Sequence, residues 1–208
     1  MGDSDSTELE LWETKSKTGE LSNGYVALSH CWGKPEKEDK KRFCTTEENR
    51  QRRLKGFSMN ELPKTFQDAV KVTRALGKQY LWIDALCIIQ AIEDTDESDW
   101  KDEAGRMERV FGSAYCTIAA TSAEDWKKGF LEWESTPRFV QDASGQWRYS
   151  GSNTTDYIKD VDAARLNQRA WVLQERVLSR RTIHFTESNM YWECGKAVRC
   201  GNFRKLEM

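Results

Sequence analysis

One stretch of the sequence restricts the fold more than any other, and it runs from Tyr80 to Ile89. It is almost continuously apolar and contains one carboxylate, Asp84. Such a run is typical of a central strand whose two faces are both covered by helices. The stretch therefore predicts an α/β protein, with Asp84 at or just beyond the carboxyl end of the strand.

The order of the other segments supports the same fold class. Apolar periodicity and turn residues predict, in chain order, strand Tyr25–Ser29, helix Leu62–Leu76, strand Tyr80–Ile89, a helix from Ser98 or Asp99 to Phe111, strand Ala114–Ala120, a helical segment Asp162–Ser179 with a break near Asn167, and strands Arg181–Phe185 and Met190–Cys194. This alternation favours a parallel sheet flanked by helices, with extra C-terminal strands. We expect residues 1–20 to be a flexible lead-in, residues 21–208 to form a single domain, and residues 137–160 to be a long loop insertion.

The overall charge and the cysteines exclude several classes of protein. The net charge of −2 gives no general attraction to nucleic acid or to an anionic membrane. Of the six cysteines, Cys87 and Cys116 lie in apolar runs, and Cys194 and Cys200 are too far apart for a usual zinc pair. Because there is no signal peptide and no long apolar run, we expect a cytoplasmic protein with reduced thiols, no metal and no membrane partner.

Polar residues follow the first predicted strand. The segment Ser29–Gly33 lies where that strand ends, and ligands bind at the carboxyl ends of strands in open α/β sheets. The segment is therefore either a binding loop or a turn with a packed Trp32. Asp84 presents a similar choice, because it either caps a helix or turn or holds a ligand hydroxyl. Both alternatives stay open.

Two carboxylates lie on predicted helices beside apolar residues. Glu103 falls on the apolar stripe of the helix that ends at Phe111, so it either pairs with a buried arginine or faces a pocket. Glu175 follows Trp171 by four residues, so the two side chains share one face of the C-terminal helix. An aromatic ring and a carboxylate in this arrangement form a site, or they mark the boundary between core and solvent.

Several common catalytic motifs are absent from the sequence. There is no Gly-x-Gly-x-x-Gly after a strand, no His-Glu-x-x-His and no Gly-x-Ser-x-Gly. The segment Trp32–Pro35 lacks the spacing of a phosphate-binding loop. Dinucleotide redox chemistry, ATP hydrolysis, metalloproteolysis and α/β-hydrolase chemistry are therefore not indicated.

Several ordered segments resemble the successive blocks of the fungal heterokaryon incompatibility (HET) domain. They are Tyr25–Gly33, the helix that begins at Leu62–Pro63, Leu81–Gln90, Arg169–Glu175 and the closing block Tyr191–Cys194. The sequence departs from the family at Ile89, where a polar residue is usual, and at Phe111, where tyrosine is usual. The resemblance covers roughly residues 25–195.

The resemblance implies a domain that triggers regulated cell death after non-self recognition, within a longer protein that carries sensor or oligomerising regions. The family is also similar to TIR domains, which have a flavodoxin-like parallel sheet and many of which cleave NAD with one glutamate. In plant TIR domains a tryptophan precedes that glutamate by four residues, and the segment Trp171–Glu175 is similar. The resemblance thus implies NAD or a related nucleotide as substrate, no cofactor, and self-association.

The resemblance and the chemistry of N-glycosidic cleavage together identify candidate residues. The implied catalytic residue is Glu175, whose carboxylate would stabilise an oxocarbenium-like state. The residues expected to bind substrate are Ser29, His30, Trp32, Gly33, Asp84, Arg169 and Trp171. The residues expected to line the pocket or to be structural are Cys31, Cys87, Gln90, Glu103 and Gln174. The alternative is a non-enzymatic signalling module, in which Trp171 and Glu175 only complete the core.

Overall fold

The structure is a computed structural model that describes residues 6–13, 24–92, 98–132, 139–141, 147–149, 156–187 and 189–201. Its strands are β1 (Glu8–Leu9), β2 (Val26–Ser29), β3 (Phe57–Ser58), β4 (Leu81–Trp82), β5 (Cys116–Ala119), β6 (Phe139–Gln141), β7 (Trp147–Tyr149), β8 (Arg181–Phe185), β9 (Met190–Cys194) and β10 (Ala197–Gly201). Its α-helices are α1 (Lys37–Phe43), α2 (Glu47–Arg53), α3 (Lys64–Ala75), α4 (Asp84–Cys87), α5 (Ser98–Ala104), α6 (Met107–Ser113) and α7 (Ala170–Leu178). Short 3₁₀ helices lie at Met59–Glu61 and Arg165–Gln168, and a π-helical turn lies at Ile158–Asp162.

A six-stranded sheet forms the centre of the fold, in the order β4-β2-β5-β8-β9-β10. The first four strands in this order are parallel, and β9 and β10 are added as antiparallel neighbours. Counted along the chain, the parallel strands have the order 2-1-3-4, which is the order found in flavodoxin-like sheets. The predicted α/β class, with a mostly parallel sheet flanked by helices, is confirmed.

Alternating residues of β2 pack on opposite faces of the sheet. Val26 and Leu28 belong to the main core with Phe66 of α3. Ala27, which points the other way, is buried with Phe111 of α6. Because both faces are covered by helices, ligands can reach the sheet only at its edges or at the ends of its strands.

The prediction that Tyr80–Ile89 forms a central strand is wrong. Only Leu81–Trp82 is a strand, it lies at the edge of the sheet, and α4 begins directly afterwards at Asp84. One carboxylate oxygen of Asp84 accepts a hydrogen bond of 2.7 Å from the following backbone N–H, which stabilises the turn. Ile83 and Ile88 are still buried. An apolar run therefore reports burial, and it does not distinguish a strand from a buried helical turn.

The single helix predicted to end at Phe111 is two helices. Helix α5 ends at Ala104 and helix α6 begins at Met107, with Gly105 between them. A glycine in the interior of a helix lowers its stability by about 1 kcal/mol relative to alanine. Gly105 lies between the two helices, where this loss does not arise. The break allows the two short helices to take different directions.

Three other segments contain secondary structure that the sequence pattern does not predict. Within the predicted lead-in, β1 pairs antiparallel with β3. The charged segment 34–60, which shows no clear periodicity, contains α1 and α2. Within the predicted loop 137–160, β6 and β7 pair as antiparallel strands. Residues 1–5 and 14–20 of the lead-in, and residues 137–138, 142–146 and 150–155 of the loop, lie outside the described residues.

In the part of the chain that the structure describes, no helix is both long enough and apolar enough to cross a bilayer. No group of three or more His, Cys, Asp or Glu side chains in this part is arranged to hold a metal ion. Each of the six cysteines is a free thiol.

Candidate functional site

A cleft of about 270 Å³ opens beside the carboxyl ends of β2 and β4. Its volume lies just below the range of about 300–1,000 Å³ that is usual for ligand sites. The residues that line it are Leu28, His30, Trp32, Trp82, Asp84, Gln90, Trp100, Ala104, Met107, Phe111, Arg169, Trp171 and Glu175. The cleft therefore forms where the sequence places polar residues after two strands, and helices α5, α6 and α7 supply its other walls.

Asp84 connects two ring side chains of the cleft. Its Oδ2 atom accepts a hydrogen bond from Trp32 Nε1 at 2.6 Å. Its Oδ1 atom, which caps the first turn of α4, lies 3.8 Å from Nδ1 of His30. The rings of His30 and Trp32 are nearly parallel, with centroids 6.1 Å apart and planes at 22°. Asp84 thus stabilises a turn and also holds the Trp32 indole in the cleft wall.

His30 is almost completely buried in the same wall. Burial lowers the pKa of His30; the Asp84 carboxylate opposes this shift and the Arg169 guanidinium adds to it. The imidazole is therefore neutral at pH 7. Its Nε2 atom is buried and has no hydrogen-bond partner among the described residues. The Nε2 atom of a neutral imidazole can donate or accept one hydrogen bond, depending on the tautomer, and can therefore bind a polar group of a ligand.

Glu175 extends from α7 towards the cleft, and its Oε2 atom is buried without a hydrogen-bond partner among the described residues. Burial raises the pKa of Glu175 to about 7. The Ser29 hydroxyl lowers this pKa, although it does not form a hydrogen bond of ordinary geometry with the carboxyl group. The charge of Asp84 raises the pKa further, and the charge of Arg169 lowers it. A carboxyl group with a pKa near neutrality that faces a cleft is typical of catalytic groups.

The first turn of α7 is fixed to the loop that follows β2. Arg169, which precedes the helix, donates a hydrogen bond from Nη1 to the backbone oxygen of His30 at 3.0 Å. Val172 is buried with Cys31 in a small apolar cluster. These two contacts place Glu175, one turn further along, beside the cleft.

Arg176 fixes the second half of α7 to the C-terminal strands. Its Nε and Nη2 atoms donate to the two carboxylate oxygens of Glu193 at 2.8 and 3.1 Å, and its Nη1 atom donates to Asp162 at 2.8 Å. Nε2 of His184 lies 2.7 Å from the same Glu193 carboxylate. Burial acts to raise the pKa of Glu193, but hydrogen bonds with His184 and Arg176 outweigh it and hold this pKa at about 2. The Glu193 carboxylate is therefore charged at neutral pH and holds the helix in place.

Seven of the residues predicted from the sequence line the cleft. They are His30, Trp32, Asp84, Gln90, Arg169, Trp171 and Glu175. Gln90, predicted as a pocket or structural residue, has both roles. Its Nε2 atom donates to the backbone oxygens of Asp84 and Ile88, each at 3.3 Å.

Four predicted residues that follow β2 and β4 or end β2 do not line the cleft. Ser29 is buried, and the backbone of Gly33 packs against the turn that contains Asp125. Burial raises the pKa of the Cys31 thiol and raises that of Cys87 to about 12. Neither cysteine is a thiolate near neutral pH, so their roles are structural.

Two further predicted residues do not line the cleft. Glu103 accepts a hydrogen bond from Nη1 of Arg106 at 2.7 Å, so it forms an ion pair as in the first alternative, but the arginine is half exposed and not buried as expected. Gln174 is exposed on α7. The spacing that places Trp171 and Glu175 on the cleft face directs Gln174 to the opposite side of the helix.

The structure adds cleft residues that sequence reasoning missed. Trp100, Ala104 and Met107 recur at helical spacing, which predicts a stripe that faces the core, yet they line the cleft. Trp82 belongs to the run that was expected to be a buried strand. One signal could have identified Trp100, since it stands alone among charged neighbours in the first turn of a helix.

A substitution tests whether the close packing of Gly33 against Asp125 stabilises the fold. Gly33 has φ of +62°, and an added Cβ would lie 2.6 Å from Cβ of Asp125. We expect Gly33→Ala to lower the free energy of unfolding by about 2–4 kcal/mol, the sum of a left-handed backbone penalty and a clash. The control is Gly77→Ala, where φ is +67° and no atom lies within 4 Å. It should cost about 1–2 kcal/mol in urea unfolding, and equal losses would contradict the clash.

An α/β domain with a polar cleft at the carboxyl ends of its parallel strands is the class that the fold and the site define. The sequence model of the family described as "Heterokaryon incompatibility protein (HET)" matches residues 25–175, which include every residue that lines the cleft. The chain belongs to this family, and the resemblance seen in the sequence is confirmed. Membership implies a role in heterokaryon incompatibility and in the signalling of cell death. No curated protein and no solved structure matches the chain at a significant level.

Proposed function

We propose that this HET domain is an effector of fungal non-self recognition and regulated cell death that cleaves NAD to nicotinamide and an ADP-ribose product. One observation carries the proposal. Glu175 Oε2 and His30 Nε2 are buried in the lining of the cleft, and neither has a hydrogen-bond partner of ordinary geometry among the described residues. Buried polar atoms are nearly always hydrogen-bonded in folded proteins. Two such atoms in one cleft therefore favour a polar ligand there.

The Glu175 carboxylate suits the cleavage of an N-glycosidic bond. When the bond between ribose C1′ and the ring nitrogen breaks, its electron pair passes to the cationic nicotinamide, which leaves as a neutral molecule without a general acid. Positive charge develops on the ribose, and an adjacent carboxylate stabilises this oxocarbenium-like state. Water then adds to C1′ and loses a proton, which gives ADP-ribose.

The other lining groups suit the remaining parts of NAD. Arg169 is the one cationic side chain in the described lining, and a guanidinium suits a phosphate. Asp84 suits a cationic ring or a ribose hydroxyl, and the neutral imidazole of His30 suits a hydroxyl. Trp32 and Trp171 offer aromatic faces for stacking. NAD is the substrate in this proposal, and no separate cofactor is required.

A specific observation favours a second candidate function, a non-enzymatic module that self-associates and triggers cell death. Leu173 and Val177, four residues apart on α7, are 60% and 73% exposed. Apolar side chains that follow one another along an exposed helix face are typical of contact surfaces. In this alternative, sensor or oligomerising regions of the full-length protein bring the copies together, and Glu175 has no catalytic role.

The proposal is tested by measuring nicotinamide release from NAD by the purified chain, first in dilute solution and then clustered on a multivalent support. We expect release that increases on clustering, because self-association is proposed to complete the site. Release in the clustered state supports the enzyme. No release in either state, from protein that self-associates and remains folded, would contradict it and would favour the non-enzymatic module.

A further inference from the structure

Trp100 and Trp171 form an aromatic corner in the cleft. Both residues line it, and their ring centroids lie 6.5 Å apart with the ring planes at 88°. Two nearly perpendicular indoles leave an L-shaped space. A flat ring can lie against the face of one indole while its edge touches the other, and both contacts are favourable aromatic geometries. We call this pair the tryptophan corner.

Packing in the core does not explain the tryptophan corner. Trp100 is 40% exposed and Trp171 is 56% exposed. None of residues 99–104 of α5 is buried. A hydrogen bond connects this helix to the segment after α4: the backbone N–H of Ile89 donates to the Asp99 carboxylate at 2.8 Å. Trp100 thus lies on a helix whose residues 99–104 are not buried, and its side chain lines a cleft. A large, partly exposed aromatic side chain in this position is typical of a ligand contact.

We propose that Trp100 is a ligand-binding residue and that the tryptophan corner stacks on a planar heteroaromatic ring of a nucleotide. This inference rests on the NAD-cleaving function proposed for the same cleft and adds a recognition element to it. Stacking on an aromatic side chain tolerates different rings, because each ring has a π-face. The purine and the pyridine ring of NAD share this chemistry.

The charges and the size of the cleft favour a ring at this position. The Asp84 carboxylate attracts the cationic nicotinamide ring of NAD, whereas a neutral purine requires only an aromatic face. The cleft volume of about 270 Å³ is small for a dinucleotide, so part of the ligand extends out of the cleft, past the partly exposed indoles. Two probes separate the rings: ADP-ribose carries only the purine, and 1-methylnicotinamide carries only the cationic pyridinium ring.

The experiment measures the binding of ADP-ribose and of 1-methylnicotinamide by calorimetry, with the wild type and with Trp100→Ala and Trp100→Phe. Neither probe contains the bond that the enzyme is proposed to cleave. We expect Trp100→Ala to weaken the binding of one or both probes about tenfold to hundredfold, since stacking on one aromatic ring contributes that much. Trp100→Phe retains a π-face and should stay within about threefold of the wild type. The probe that is affected identifies the ring.

The matched control is Ile158→Ala, which removes an exposed apolar side chain of the π-helical turn that does not line the cleft. It should leave the binding of both probes unchanged. If Trp100→Ala binds both probes as Ile158→Ala does while the wild type still releases nicotinamide from NAD, the inference is overturned and the proposed function stands. If the folded wild type binds neither probe and releases no nicotinamide, both fail.

Discussion

Replacing Glu175 with glutamine is expected to lower kcat for nicotinamide release from NAD by a factor of about 100 to 1,000, with little change in KM. Glutamine has nearly the same shape and can still hydrogen-bond to the substrate, but it carries no charge. The positive charge that develops on the ribose then loses its partner in the transition state only. Removal of one preorganised electrostatic group typically has an effect of this size. Steady-state kinetics of the wild type and the variant, at the same degree of clustering, measure it.

The control for this substitution is Glu103→Gln. It makes the same chemical change in a carboxylate that pairs with Arg106 and does not line the cleft. Because Glu103 does not line the cleft, the loss of its charge leaves the stabilisation of the transition state unchanged, and the rate should stay within about twofold of the wild type. Equal losses in the two variants, or full activity of Glu175→Gln, would remove Glu175 from the mechanism.

The pH profile provides an independent check. Burial raises the pKa of Glu175 to about 7, so the carboxylate is the minor form in more acidic solution. Because the reaction uses the carboxylate, kcat/KM should rise about tenfold per pH unit below pH 7 and level off above about pH 8. Glu175→Gln should show no such rise. A wild-type rate that falls as the pH rises through 7 would instead identify the protonated acid as the active form.

The parts of the fold that could be predicted from the sequence are those whose signals are local. Strand Tyr25–Ser29 is confirmed as Val26–Ser29, because a short run of β-forming residues is bounded by polar residues and a glycine. Helix α3 is confirmed because an apolar stripe begins after Pro63 and ends before Gly77. In both segments, neighbouring residues contain all the information that the element requires.

The secondary-structure predictions that fail are those that depend on residues distant in the sequence. Tyr80–Ile89 is buried as predicted, yet the position of Asp84 and the edge of the sheet limit the strand to Leu81–Trp82. Helices α1 and α2 bury only Phe43 and Arg53, respectively, so neither has a stripe that periodicity could detect. Their start is specified instead by capping boxes, and the reciprocal bonds between Thr46 and Asn49 are an example.

The candidate site divides in the same way. Trp171 and Glu175 could be paired from their spacing, and the residues after β2 and β4 converge because the carboxyl ends of parallel strands share one edge. Periodicity assigns Trp100 to a core-facing stripe of one helix, because the separation of α5 from α6 at Gly105 is not visible in the apolar pattern. Local patterns identify which groups are chemically suitable. The tertiary fold decides which of them meet.

The position of Glu175 also depends on residues that follow the family match. The match ends at residue 175, whereas Arg176 binds Glu193 on β9. The antiparallel strands after β8 therefore do more than extend the sheet. They supply the carboxylate that fixes α7, and α7 carries the proposed catalytic group.

Replacing Arg176 with methionine is expected to lower the free energy of unfolding by about 3 kcal/mol. The Arg176 and Glu193 side chains are 19% and 25% exposed, and removing one partner of a buried pair leaves the other charge uncompensated, at a cost of about 3–5 kcal/mol. Partial exposure and the remaining contact with His184 place the effect at the lower end. Urea unfolding measures it. The double variant Arg176→Met/Glu193→Gln should lose less than the sum of the two single losses, by about 1 kcal/mol or more.

The matched control is Arg52→Met, which breaks a bidentate contact with Glu61 on the surface. The side chains of Arg52 and Glu61 are 55% and 36% exposed, so water screens the pair and replaces its hydrogen bonds. This control should cost about 0–1 kcal/mol, because exposed ion pairs contribute little. If Arg176→Met costs no more than Arg52→Met, or if the losses from Arg176→Met and Glu193→Gln simply add, the C-terminal strands do not hold α7 through this pair. A large, non-additive loss would show that the helix bearing Glu175 is positioned by a strand that follows residues 25–175, the part of the chain that the family model matches.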